Sequence, residues 1–90
     1  MTEEKRNTAQ RNYNATVRRG QITGGTTARD FIKKLYEEVL ELDESDDGFN
    51  FDEKELADAS LVCDAMAIHF GIDLNKVKYE KMLYNEQRED

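Results

Sequence analysis

The sequence contains no proline, no tryptophan and only one cysteine, Cys63. Proline, which interrupts helices, is absent, and β-branched residues show almost none of the alternation that is typical of strands. Both features favour helices over strands. A single cysteine excludes an internal disulfide and is typical of a reducing compartment. No apolar run approaches the roughly 20 residues that span a bilayer, and the polar start has no secretory apolar region. We therefore expect a cytoplasmic protein without a membrane partner.

Basic residues are also scarce, since 13 lysines and arginines face 20 aspartates and glutamates, for a net charge of −7. This balance argues against nucleic acid as a partner, because proteins that bind its backbone carry basic patches. It suits a protein that binds cations, or anions bridged by cations. Residues 1–90 are enough for one domain with a modest core, which small helical chains often complete by pairing with a copy of themselves.

Four helical segments are predicted, so the expected fold is all-α, a small antiparallel bundle joined by short loops. The segments run from about Thr2 to Arg19, Thr27 to Leu42, Asp52 to Phe70 and Asp73 to Arg88. Glycines mark their ends, and residues 1–27 are the least diagnostic part. The predicted apolar face of the second helix comprises Ile32, Leu35, Val39 and Leu42. That of the third comprises Leu56, Ala59, Cys63, Met66, Ala67 and Phe70.

Two pairs of acidic residues lie at helical spacing on neighbouring helices. Glu38 and Glu41 are three positions apart on the second helix, and Glu55 and Asp58 are three apart on the third, so each pair shares a face. Glu38 and Glu55 both fall beside an apolar face. Because a short turn makes these helices antiparallel neighbours, both pairs are expected to meet at one level.

Four carboxylates at one seam repel each other unless a cation neutralises them, and Mg²⁺ favours oxygen ligands together with substrate phosphates. An alternative for each pair is a solvated helix face. Glu55 also fits a capping box after Asp52, and Lys34 fits an ordinary ion pair with Glu38.

At these residues the chain resembles the MazG-like all-α nucleoside triphosphate pyrophosphohydrolases, whose signature is E-x-x-E on one helix and E-x-x-D on the next. The matching stretches are KLYEEVLEL at residues 34–42 and KELADASLV at residues 54–62. A third stretch, GIDLNKVKYEKMLYNEQR at residues 71–88, is similar to the closing helix of the family. The resemblance covers about residues 32–88.

The resemblance implies hydrolysis of nucleoside triphosphates to monophosphate and pyrophosphate by a homodimer or homotetramer. It implies that Mg²⁺, or Mn²⁺ in its place, binds the four carboxylates, with Glu38 and Glu41 as the catalytic candidates. Which carboxylate positions the attacking water stays open. The resemblance also implies that the substrate phosphates contact Lys81, Asn85 and Arg88. Lys34 could reach the phosphates as well, because it falls on the same helix face as Glu38 and Glu41.

Two alternatives to these assignments stay open. Lysines and arginines near the end of a helix also favour its dipole and extend into solvent, without any phosphate. The whole chain could also be a non-catalytic relative that binds nucleotide or metal and acts through protein partners. His69 lies about 16 Å along the helix from Asp58, too far to share its ion, and Cys63 is expected to be buried and inert.

Overall fold

The computed structural model describes residues 7–88, and within that range the chain forms four helices and no strand. The helices are α1 (Thr8–Arg18), α2 (Ala28–Ser45), α3 (Glu53–His69) and α4 (Leu74–Glu86). The all-α prediction is confirmed. The predicted start of the first helix at Thr2 lies outside the described residues. None of these four helices is both long and apolar enough to cross a membrane.

Side-chain caps fix where three of the helices begin. At α2 the Thr27 side chain accepts from the Asp30 amide, and the Asp30 carboxylate accepts in return from the Thr27 amide, which forms a capping box. At α4 the Asp73 carboxylate accepts from the Lys76 amide. Each bond satisfies an amide that has no partner within its helix, so these starts follow from local sequence.

The helices α2 and α3 run antiparallel, as residue pairs at both ends demonstrate. At one end, Glu38 and Glu41 of α2 meet Glu55 at the start of α3. At the other end, the ring of Phe31 near the start of α2 lies 5.2 Å from the ring of His69 at the end of α3. The predicted convergence of the two acidic pairs depends on this arrangement.

The core is small and lies where α1, α2 and α3 meet. Ile22, Phe31 and Ala65 are buried together, with Tyr13 and Met66 packed against them. No large side chain in the described chain is completely buried. The core therefore positions the helices with few apolar contacts.

The face that α3 turns inward differs from the predicted one. Cys63 is exposed rather than buried, and Leu56 and Phe70 are exposed as well. Instead, Val62 and Ala65 face the neighbouring helices. Met66 and Ala67 of the predicted face do pack against the core or lie buried, so the face is only partly rotated, towards Val62 and Ala65. Because α3 carries apolar residues on several sides, its periodicity alone does not select the packed face.

The helix α4 differs from the expected bundle helix. Apart from Leu74, which is half-buried, all its residues are exposed in the isolated chain. The radius of gyration is 15.1 Å, whereas a compact domain of this size has about 12 Å. The four predicted helices thus form a three-helix core and an exposed fourth helix.

Candidate metal centre

Four carboxylates from α2 and α3 meet at one point. One oxygen from each residue lies within 4.8 Å of the corresponding oxygens of the other three. The residues are Glu38, Glu41, Glu55 and Asp58. The structure thus brings together the four residues that the sequence predicted as a metal site.

The most buried of these carboxylates is that of Glu38, which lies in the interface between α2 and α3. Only 6% of the residue is exposed. Within the described chain, Oε2 of Glu38 and Oε2 of Glu55 are both buried and make no hydrogen bond. A buried polar atom without a partner costs free energy, so a cation bound by these two oxygens would stabilise the cluster.

The start of α3 explains why Glu55 points into the cluster. In a capping box its carboxylate would accept from the Asp52 amide, but Ser45 Oγ already accepts that bond at 3.0 Å. Asp52 caps the helix by accepting from the Lys54 amide. The capping-box alternative for Glu55 is therefore wrong, and its carboxylate lies beside α2.

Mutual repulsion perturbs the cluster. The negative charge of Glu38 raises the pKa of Glu41 above its usual 4.5, and the carboxylate of Glu55 adds to this effect. Such a shift is expected where like charges approach each other. A divalent cation would relieve it.

One lysine partly supplies that counter-charge. Lys34 Nζ lies 3.1 Å from Oε1 of Glu38, which confirms the predicted ion pair, and 3.6 Å from Oε2 of Glu37. The hydrogen bond to Glu38 raises the pKa of Lys34, so the ammonium form is favoured. A single positive charge does not balance four carboxylates.

A groove of about 650 Å³ opens beside the cluster. At its acidic end lie Glu37, Glu38 and Asp58, and its walls carry three positively charged side chains: Arg19, Lys33 and Lys34. Arg19 donates a weak 3.4 Å hydrogen bond to Thr16 Oγ1. The groove thus places positive charge next to the candidate metal centre, an arrangement that suits an anion bridged by a cation. The remaining polar lining residues are Asn12, Thr16, Gln21, Thr26 and Asp30.

The wall that α1 contributes was missed from the sequence. Its polar residues at positions 12, 16 and 19 recur at helical spacing and share a face, and that spacing was the available signal. Because α1 has few apolar residues, the packed face of this helix was not recognised from the sequence. Asn12 and Thr16 are half-buried in the groove wall.

The predicted phosphate-binding residues of α4 lie elsewhere in the isolated chain. Lys81 and Asn85 border a separate, open depression on α4, and neither they nor Arg88 line the groove. The ammonium group of Lys81 lies 4.6 Å from the centre of the Tyr84 ring. Of the four predicted phosphate contacts, only Lys34 lies at the site.

The donor set fits a hard divalent cation. All four ligands are carboxylates, which suit Mg²⁺, Mn²⁺ and Ca²⁺ better than softer metals. Two of the oxygens are buried without a partner. The cluster can therefore hold a metal ion. No protein family, curated protein or solved structure matches the chain.

Proposed function

We propose that the protein is a Mg²⁺-dependent nucleoside triphosphate pyrophosphohydrolase of the MazG-like type. The observation that carries the proposal is the pair of buried, unpartnered oxygens of Glu38 and Glu55 in a four-carboxylate cluster beside a groove. A solvated acidic face would leave such oxygens in water. Burial without partners is costly unless a ligand compensates for it.

The groove supports a phosphorylated substrate. Mg²⁺ usually binds one or two carboxylates together with substrate phosphates, so the acidic end would hold the cation and the cation would hold the phosphates. Lys33, Lys34 and Arg19 would neutralise the remaining negative charge along the chain of phosphates. The volume of about 650 Å³ lies within the range of small-molecule sites.

In the proposed reaction, water attacks the α-phosphorus and the bond to the bridging oxygen breaks, which gives monophosphate and pyrophosphate. Bound Mg²⁺ would supply charge that stabilises the phosphoryl oxygens and favours ionisation of water. Glu38, Glu41, Glu55 and Asp58 would hold the cation. One of the candidates Glu38 and Glu41 would also position the attacking water or accept a proton from it.

We also propose that the working form is a homo-oligomer. Exposed large apolar side chains occur on α2, on the outer face of α3 and on α4, and the radius of gyration of 15.1 Å is large for one compact domain. Five of these side chains lie on α4, and exposed apolar residues concentrated on one helix are typical of an interaction surface. A second copy is the occupant we infer, because the exposed surface belongs to helices that would complete a bundle.

Contact of the substrate phosphates with Lys81, Asn85 and Arg88 would require this oligomer. None of them lines the groove of its own chain. The exposed α4 of a neighbouring copy would bring these side chains to the groove. There the forked guanidinium group of arginine and the ammonium group of lysine suit a polyphosphate.

The test is a panel of nucleoside triphosphates incubated with Mg²⁺, with products separated by chromatography. Wild-type protein is expected to release monophosphate and pyrophosphate, and Glu38→Gln to lose at least about 100-fold in kcat. Glu44→Gln is the matched control, since Glu44 is an exposed carboxylate of the same helix outside the cluster.

Two other outcomes contradict the proposal. Diphosphate and inorganic phosphate would mean a different reaction. No turnover with metal binding intact would favour the non-catalytic alternative, a module that binds nucleotide or metal and acts through protein partners.

A further inference from the structure

Lys34 occupies an unusual position between the two parts of the site. Its Nζ atom lies 3.1 Å from Oε1 of the buried Glu38, yet 55% of its side chain is exposed and the residue also lines the groove. It is the only lysine or arginine that forms an ion pair with the cluster in the described chain. One side chain thus contacts the cation site and borders the space for the substrate.

The ammonium group contacts Oε1 of Glu38 and leaves Oε2 without a partner in the protein, so a divalent cation bound at Oε2 would share the carboxylate with Lys34. A cation held by Glu38 would place two positive centres within a few ångströms of each other, where they repel strongly. The lysine has a flexible four-carbon stem, and its side chain is 55% exposed and borders the groove. It can therefore leave Glu38 without unfolding any part of α2.

We propose that Lys34 is a tethered counter-ion that neutralises Glu38 while the site lacks metal and moves into the groove when a divalent cation binds. The displacement of Lys34 by metal is inferred from its contact with Glu38 and its position at the groove. The role of the released ammonium group rests on the proposed function, because this group would then contact the phosphates of the substrate. Metal binding would thereby prepare the groove for an anion.

Lys33 provides a matched control. It lies next in sequence, has the same charge and also lines the groove, but it forms no ion pair with Glu38. A general electrostatic effect of a nearby lysine would appear in both residues. Displacement from Glu38 would appear only in Lys34.

The experiment is competitive acetylation of the folded protein, read for each lysine by peptide mass spectrometry, without metal and during a titration with Mn²⁺. Release from Glu38 frees the amine from its ion pair and exposes it to the reagent, so the ratio of Lys34 to Lys33 acetylation should rise about threefold to tenfold as Mn²⁺ saturates. In Glu38→Gln the ratio should not respond to Mn²⁺.

A second measurement uses Mn²⁺ affinity. Lys34→Met should bind Mn²⁺ about threefold to tenfold more tightly than wild type, since no ammonium has to be displaced, whereas Lys33→Met should change affinity less than about twofold. Lys34→Arg, which keeps the charge, should restore wild-type affinity.

The possible failures are distinguishable. Saturable Mn²⁺ binding with an unchanged acetylation ratio, or with equal effects of Lys34→Met and Lys33→Met, would overturn the role of Lys34 and leave the metal site standing. An absence of saturable binding in wild type would overturn the metal site, and this inference with it.

Discussion

The hydroxyl of Tyr13 in α1 lies 2.9 Å from Nδ1 of His69 at the end of α3. Nε2 of the same ring lies 3.1 Å from the carbonyl oxygen of Thr26, which can only accept, so in the neutral ring Nε2 carries the proton and Nδ1 accepts from Tyr13. The imidazole also packs against the rings of Phe31 and Phe70. His69 therefore ties α1 and the loop before α2 to α3, and with them the groove.

Tyr13→Phe tests this connection. The substitution removes the hydroxyl and leaves a half-buried ring nitrogen without its partner, so we expect a loss of about 1 kcal/mol in the free energy of unfolding. Urea denaturation measures it. Tyr36→Phe is the control, because Tyr36 is exposed and its loss should change stability by less than about 0.5 kcal/mol. Equal effects of the two substitutions would contradict the structural role of His69.

Glu41→Gln should stabilise the metal-free protein at neutral pH. Glu38 and Glu55 raise the pKa of Glu41 above 4.5, so ionisation of Glu41 opposes folding. The contribution of Glu41 to the stability of the folded state is fully present below pH 4.5. It is lost as the pH rises through the raised pKa and the carboxyl group ionises. The advantage of Glu41→Gln should thus be largest near pH 7 and shrink towards acid.

Urea denaturation in the presence of a chelator, repeated from pH 4 to pH 7, measures this difference. Glu44→Gln, outside the cluster, should have no comparable pH-dependent advantage. A wild-type protein more stable than Glu41→Gln at neutral pH without metal would contradict the repulsion that we describe.

Thr27→Ala should destabilise the start of α2. It removes the side-chain half of the capping box, at a cost of about 1 kcal/mol, whereas Thr27→Ser should keep the bond and most of the stability. The Thr27 amide and hydroxyl lower the pKa of Asp30 below 3.8, so the stability that this box provides is present above pH 3.8 and lost as pH falls through the lowered pKa. Thermal melting at neutral pH checks the substitution, and an unchanged midpoint would refute the cap.

Leu83→Glu should weaken the proposed oligomer. Leu83 is an exposed apolar residue of α4, and a charge there would have to be desolvated in an interface with a second copy. Light scattering after size exclusion should give a lower mass than for wild type. Asn75→Glu adds the same charge to a polar, exposed position of α4 and should leave the mass unchanged. A wild-type protein that is monomeric at all concentrations would contradict the assembly.

The sequence predicted the four helices and the acidic cluster because both depend on local rules. Helical spacing places Glu38 with Glu41 and Glu55 with Asp58, and a short turn brings the pairs together. Caps such as Thr27 mark the helix boundaries in the sequence itself.

The rotation of α3 and the exposure of α4 could not be predicted in the same way. Apolar residues surround α3, so periodicity allowed Cys63 as readily as Val62 on the packed face. Likewise, the apolar residues of α4 indicate a buried face but do not say whether its own chain or another covers it. The burial of Glu38 and the groove wall from α1 depend on how three helices pack, which no single segment encodes.

Equilibrium binding of Mn²⁺ to the metal-free protein, together with thermal melting in Mg²⁺, tests the proposed metal site at the four carboxylates. We expect saturable binding in wild type and Glu44→Gln, its loss in Glu38→Gln and in Asp58→Asn, and a melting temperature that rises with Mg²⁺ but not with NaCl of equal ionic strength. Binding that is unsaturable, or unaffected by both cluster substitutions, would contradict a metal site at these carboxylates.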